Sequence, residues 1–482
     1  VGDFVNNYFL CAIFALSATV SASWSWAGKP TFPNITEELN SLAKKHGAAM
    51  SDVGIYASIG EGDNLEVVLD NNGQRIMIPA SITKVATAST VLAHFPPGYK
   101  FKTQIYSTGS IQDGVLKGDL YLKGGGDPSF VSENLWFLVN VFTRTPIKKV
   151  EGNIIVDDSL FDKVRFDESR QKARVDRAYD APVGAMSFNW NSVNLFVRPG
   201  KVGGPAQVTV DPENDYVRLV NHAKTASSGG NKLIADRNEE KKFPGDMVLI
   251  SGSISEKYPE TAVFLSISQP DLWSGYNLKS FLSQRGITVT GTIKNGVLPD
   301  KADLRAESDS KSIEEILADM NKFSNNYVAE MLTKNLGSLK AKPATLASGV
   351  AMINDHMVSL GLPKDQYVIE NPSGLTRENR MSPFAMWKIL QHLRQDFQVQ
   401  PEFLASLPIA GIDGTLKKRM KESQAERWVR AKTGSLNGVV SLAGYAGLKD
   451  GRVITFTFIY NGSTDETKIR AFFDQLLIYL VK

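Results

Sequence analysis

Across 482 residues the chain carries 54 Lys and Arg against 51 Asp and Glu, a net charge of +3, with 42% of its residues hydrophobic. So even a balance gives no reason to expect a nucleic-acid partner, and the length suits a soluble globular protein with an ample core. Five scattered histidines (His46, His94, His222, His356 and His392) show no ligand spacing, so neither a metal nor another cofactor is expected.

In chain order, the first predicted element is an export segment. Tyr8–Val20 is apolar apart from small polar residues, and Val20-Ser-Ala22 and Ser25-Trp-Ala27 suit cleavage. Thirteen residues match a signal-peptide core of roughly 7–15 and fall short of the roughly 18–20 that span a bilayer. Residues 1–27 therefore read as a signal peptide, although no Lys or Arg precedes Lys29. The only cysteine, Cys11, lies inside it, so the mature chain is expected to hold neither thiol nor disulfide.

Next comes Ser81-Ile-Thr-Lys84, which opens a helical pattern with Val85, Ala86, Ser89, Leu92 and Ala93 on one stripe and Pro96-Pro97-Gly98 as its stop. Three residues apart, Ser81 and Lys84 share a face of the first turn. A neutral lysine there could take the serine proton, provided burial or a second cation lowers its pKa. Ser-x-x-Lys also begins at Ser41, Ser169 and Ser308, and the alternative is that Ser81 only caps a helix beside a solvated lysine.

Between Lys84 and Ser324 lie 239 residues, too many for a loop joining two halves of one site. Residues 103–302 therefore read as an insertion of one or two small domains. Strand-like alternations fall at Phe101–Tyr106, Asp119–Leu122, Ala206–Val210 and Met247–Ile250. Ser312-Ile-Glu-Glu315 then reads as a capping box opening a helix toward Lys322, and Tyr327, Met331 and Leu332 mark a second helix stopping at Gly337. Ser324 and Asn326 can point into one cavity only if the chain turns between those helices. A plain polar helix connection is the alternative.

The third motif is Lys432-Thr433-Gly434-Ser435, at the start of an antiparallel meander through Val439–Leu442, a turn at Lys449-Asp450-Gly451 and the strand Val453–Tyr460. Gly434 lets substrate backbone approach a strand edge, Lys432 suits a carboxylate, and Ser435 could offer its N–H to an oxyanion. A solvated edge lysine is the alternative. Ser463-Thr-Asp-Glu466 reads as the capping box of a closing helix with Ile469, Phe472, Phe473, Leu476, Leu477 and Leu480 on its apolar face.

The three motifs in this order are the active-site set of penicillin-reactive serine acyl-transferases. With Gly118–Pro128, Met320–Ser324, Ala329–Leu332, Ser373–Arg377 and Gly411–Leu416, they make the chain resemble the penicillin-binding protein 4 type of D-alanyl-D-alanine carboxypeptidase/endopeptidase. The resemblance implies an α/β fold. Its catalytic domain, from residues 28–102 and 303–482, would be an antiparallel sheet flanked by helices, interrupted by a mostly β insertion of two nested domains. It also implies a periplasmic enzyme acting on peptidoglycan stem peptides and acylated by β-lactams. Ser81 would be the nucleophile and Lys84 its base, with Ser324 and Asn326 completing the catalytic set. Lys432, Thr433, Gly434 and Ser435 would bind substrate. Arg377 and Asn437, the latter in place of a common glutamine, would contact the substrate's side-chain carboxylate, and Asp157 and Phe161 a diaminopimelate amine, with Asp158 competing for that role. A β-lactamase or esterase on the same scaffold, and a non-catalytic wall-binding protein, are the alternatives.

Overall fold

Two stretches from opposite ends of the sequence build one sheet. In the computed structural model, which describes residue 32 and residues 34–482 except 168, 170–175 and 240–242, the strands β1 (Val53–Ile59) and β2 (Glu66–Asn71) form a hairpin. The strands β3 (Val429–Leu436), β4 (Val439–Gly447) and β5 (Val453–Asn461) form the expected meander. Antiparallel pairing of β1 with β5, from Val53–Tyr460 to Ile59–Ile454, joins them in the order β2-β1-β5-β4-β3. The motif strand β3 is thus an edge. The signal-peptide segment and Cys11 lie outside the described residues. Among the described residues no helix is long and apolar enough to cross a membrane.

The central strands are buried on both faces, which is why β4 and β5 read as near-continuous apolar runs rather than alternations. Ile55, Leu442, Phe456 and Phe458 face a core closed by the helices α1 (Ile35–His46) and α6 (Glu466–Leu480). Ala443, Tyr445 and Ile459, one residue out of phase, face a second core. That core is closed by α2 (Lys84–His94), α3 (Ile313–Lys322), α4 (Asn326–Ser338) and α5 (Pro383–Gln395). The mixed α/β architecture is the one the sequence led us to expect. Two local readings need correction. The N-cap of α6 is Asp465, whose carboxylate accepts from the Thr467 and Lys468 amides, so the expected Ser463–Glu466 box is not the cap. Gly337 does not stop α4 but sits inside it, where a Cβ would meet Ser348 Oγ at 2.3 Å. The reciprocal box at Ser312–Glu315 does form.

Residues 102–309 carry an apolar core of their own, running from Ile105 to Ala306. The segment leaves through Lys102–Ser107 and returns through Asp303–Asp309, and these two strands pair antiparallel. Entry and exit therefore lie side by side, so the long segment leaves and returns without spreading the two halves of the five-stranded sheet.

Candidate active site

Ser81 sits in a tight turn rather than an α-helical one. Residues Ala80–Thr83 are 3₁₀, running straight into α2, and in that geometry residues i and i+3 eclipse. Lys84 Nζ consequently lies 3.2 Å from Ser81 Oγ. Ala80, just before Ser81, has φ +51, a left-handed backbone that strains a non-glycine residue by about 1–3 kcal/mol. Its surroundings hold it there: Thr83 Oγ1 donates to the Ala80 carbonyl at 2.8 Å, and Gly374 packs so closely that a Cβ would lie 2.0 Å from that oxygen.

Ser324 and Asn326 meet the cavity because the chain turns sharply between α3 and α4. Ser324 itself has φ +55, and Asn325 caps α4 by accepting from the Val328 amide at 3.2 Å. Asn326 Oδ1 then accepts from Lys84 Nζ at 2.8 Å, while Ser324 Oγ accepts from Lys432 Nζ at 2.8 Å. Lys432 also donates to the Thr433 carbonyl at 2.7 Å. The three motifs thus converge on one cluster.

Both lysines are fully buried. Burial pushes the Lys84 amine down to about 7, against the opposing pull of the Glu330 carboxylate. Burial first, and the neighbouring Lys84 second, hold Lys432 well below the ordinary lysine range. Lys84 faces three acceptors: Ser81 Oγ, Asn326 Oδ1 and, at 2.5 Å, the Ser373 carbonyl. A neutral amine keeps N–H groups for the amide and the carbonyl and turns its lone pair to the serine hydroxyl. That is the arrangement of a general base.

The model of the D-Ala-D-Ala carboxypeptidase 3 (S13) family matches residues 35–480. The chain belongs to that family. It is accordingly a serine-type DD-carboxypeptidase, and the S13 match spans the sheet, both helical layers and the inserted segment. Among relatives, the D-alanyl-D-alanine carboxypeptidase of an Actinomadura species (strain R39) is 28% identical over 412 residues, covering 82% of this chain and 76% of the relative. D-alanyl-D-alanine carboxypeptidase DacB of Haemophilus influenzae is 26% identical over 450 residues, covering 90% and 89%. The crystal structure of penicillin-binding protein 4 from Haemophilus influenzae superposes with a TM-score of 0.78 at 22% identity, covering 92% of this chain and 99% of that one. A peptidoglycan endopeptidase of Bdellovibrio bacteriovorus shares the fold at a TM-score of 0.52 and 18% identity, over 88% and 91% of the two chains.

The side chain of Arg377 is exposed and donates to the Asn437 carbonyl at 2.7 Å, so these two residues stand together on one rim. Thr433 Oγ1 bonds Thr415 Oγ1 at 2.8 Å, and Ser435 Oγ accepts from Arg470 at 3.0 Å. Gly434 is packed against the nucleophile turn: a Cβ there would lie 3.0 Å from the Ser81 amide nitrogen. Asp157 and Phe161 are not brought to this cluster as open side chains. Asp157 is buried, with its oxygens accepting from the Ser159 and Leu298 amides at 2.9 Å each, and Phe161 is core. Asp158 is equally committed, to Arg165 and the Met186 amide. Sequence reasoning missed the Ser373 carbonyl, the Glu330 carboxylate, and Tyr179, whose carbonyl accepts from Asn326 Nδ2 at 3.1 Å. Backbone carbonyls leave no residue-type signal. Glu330 lies inside a quoted family stretch, but only the fold reveals that Ser373 Oγ reaches it, at 3.3 Å.

Proposed function

We propose that the chain hydrolyses the D-Ala-D-Ala end of peptidoglycan stem peptides, and the D-Ala cross-links between them, through an ester on Ser81. Ser81 Oγ attacks the penultimate D-alanine carbonyl carbon as its proton passes to Lys84. The C–N bond breaks, and the leaving amine takes its proton back through Lys84, Ser324 and Lys432. Water then adds to the ester, giving the shortened peptide and free Ser81. Lys432 and the edge of β3 hold the terminal carboxylate and backbone of the substrate. Arg377 and Asn437 form the rim for a side-chain carboxylate. The observation that carries this reading is the buried Lys84 amine, pushed to about 7 and set 3.2 Å from Ser81 Oγ.

Several finer points belong to the same proposal. Residues 28–102 and 303–482 form the catalytic domain, 103–302 a nested insertion, and the apolar start of the sequence supports export to the periplasm. The Haemophilus influenzae homologue has been crystallised with a β-lactam, which supports the same trapping reaction here. Intact-mass analysis after brief penicillin exposure tests the proposal. The wild type gains one drug mass and Ser81→Ala gains none, while muropeptide digestion separates carboxypeptidase from endopeptidase products. An unmodified wild type with the drug intact refutes it, and an unmodified wild type with the drug hydrolysed makes the chain a β-lactamase.

A further inference from the structure

A cavity of about 940 Å³ extends from Ser324 and Asn326 onto the inserted segment. Four large aromatic side chains on its walls stand open to solvent: Tyr179 at 56%, Trp190 at 43%, Phe264 at 51% and Phe323 at 70% exposure. So much apolar surface around one concavity is a mark of a binding site rather than scattered exposure.

The backbone supplies an independent sign. Asn189, Trp190 and Asn191 have φ of +48, +51 and +51, and for a tryptophan this left-handed conformation is a genuine outlier. The turn is pinned from below. Buried Asn191 accepts from the Phe188 amide at 3.2 Å and donates to Pro182 O and Ser187 Oγ at 2.8 Å each, and Asn189 Oδ1 accepts from the Ser132 amide at 2.9 Å. Strain that the surroundings over-determine in this way holds the indole outward, where it contributes little to the core.

The chemistry of the walls selects the occupant. Phe264 lies directly across from Asn194 on the paired strand, and Asn194 across from Asp211, so a ring, an amide and a carboxylate share one face. Other polar groups are mostly neutral hydroxyls and amides. Of the charges, Lys311 is paired with Asp319 at 2.8 Å, leaving Glu133 and Asp211 as surplus carboxylates. That surplus repels an anionic stem peptide and is indifferent to an uncharged ligand.

We propose that this cavity binds the glycan strand bearing the stem peptide, with N-acetylated sugar rings stacked on Trp190 and Phe264. A pyranose ring offers an apolar C–H face to an aromatic side chain, and its hydroxyl and acetamido groups suit neutral amide partners. Four stem residues between sugar and scissile bond span roughly 14 Å when extended, and the cavity begins at Asn326, itself bonded to Lys84. This inference rests on the proposed DD-peptidase activity and adds that the substrate is read as polymer, not as free peptide.

Hydrolysis of a disaccharide–pentapeptide is to be compared with that of the free pentapeptide for the wild type, Trp190→Ala and Trp190→Phe, with penicillin acylation measured alongside. The wild type favours the disaccharide substrate. Trp190→Ala loses about tenfold in kcat/KM on it alone, and Trp190→Phe recovers most of the loss. Equal losses on both substrates, or no preference in the wild type, overturn the inference. So does a loss confined to sugar-free cross-linked peptide dimers, which assigns the cavity to a second stem peptide. In each of those results penicillin still acylates Ser81, whereas failure of the DD-peptidase reading shows as no adduct in any variant.

Discussion

Placing one methyl group at Gly434 tests how the edge strand and the nucleophile turn depend on each other. In Gly434→Ala the new Cβ lies 2.1 Å from Ser441 Oγ, 2.9 Å from the Pro79 carbonyl and 3.0 Å from the Ser81 amide nitrogen. Ser441 is buried, and its hydroxyl donates to that same Pro79 carbonyl at 2.7 Å, so it yields only by giving up the bond. Overpacking contributes about 1–3 kcal/mol and the lost hydrogen bond about 1, a total of roughly 2–4 kcal/mol of destabilisation. The effect on chemistry is larger in proportion, because displacing a nucleophile by about 1 Å lowers rates on the order of 100-fold. Stopped-flow acylation by a fluorescent penicillin reads the second quantity and denaturant unfolding the first. Adding Ser441→Ala removes the nearest atom but leaves the Pro79 and Ser81 contacts. The double variant therefore regains stability over the sum of the singles while its acylation stays slow. Wild-type acylation in Gly434→Ala, or full recovery of rate in the double variant, refutes the reasoning.

Two further perturbations test the electrostatics. Lys84 must be neutral to act as base, so acylation rises with pH through about 7, and Glu330 holds that value up. Glu330→Gln therefore moves the acidic limb of the acylation profile to lower pH, by on the order of one unit, and a limb that stays or rises contradicts the assignment. Arg165 binds Asp158 and Asp271, whose side chains are only 2% and 4% exposed. Arg165→Met leaves both carboxylates buried without that partner and lowers stability by about 3–5 kcal/mol at pH 8 in urea unfolding. Asp158 is already pushed up to about 6 by burial, and losing the guanidinium raises it further, so protonation makes the deficit smaller at pH 5. An equal deficit at both pH values argues against buried charge as the cause.

The parts legible in the sequence were those in which one residue type does one chemical job. Ser81, Lys84, Ser324, Asn326 and Lys432 could be picked out because local context, such as the apolar helical stripe that Ser81 opens and the strand run around Lys432, selected them over other copies of short patterns. The meander and the apolar runs of β4 and β5 followed from burial on both faces. Harder were positions where tertiary contacts choose among local options. Ser463 and Asp465 are both good cap residues, and only the path of the chain into α6 selects the second. Asp157 and Asp158 both look available for a ligand in the sequence, yet each is spent on local backbone amides or on Arg165. Ala80 and Ser324 adopt left-handed conformations that no propensity for Ala or Ser announces, because packing by Gly374 and the α3–α4 turn impose them.

The pairing of β1 with β5 also sets the order in which the enzyme becomes dangerous to its maker. Ser81 is synthesised 351 residues ahead of Lys432 (432 − 81), and the sheet that carries Lys432 closes only when one of the last strands finds one of the first. Until then Lys84 has no interior to be buried in, keeps the protonation of an ordinary lysine and cannot deprotonate anything. Latency during synthesis is thus built into the topology.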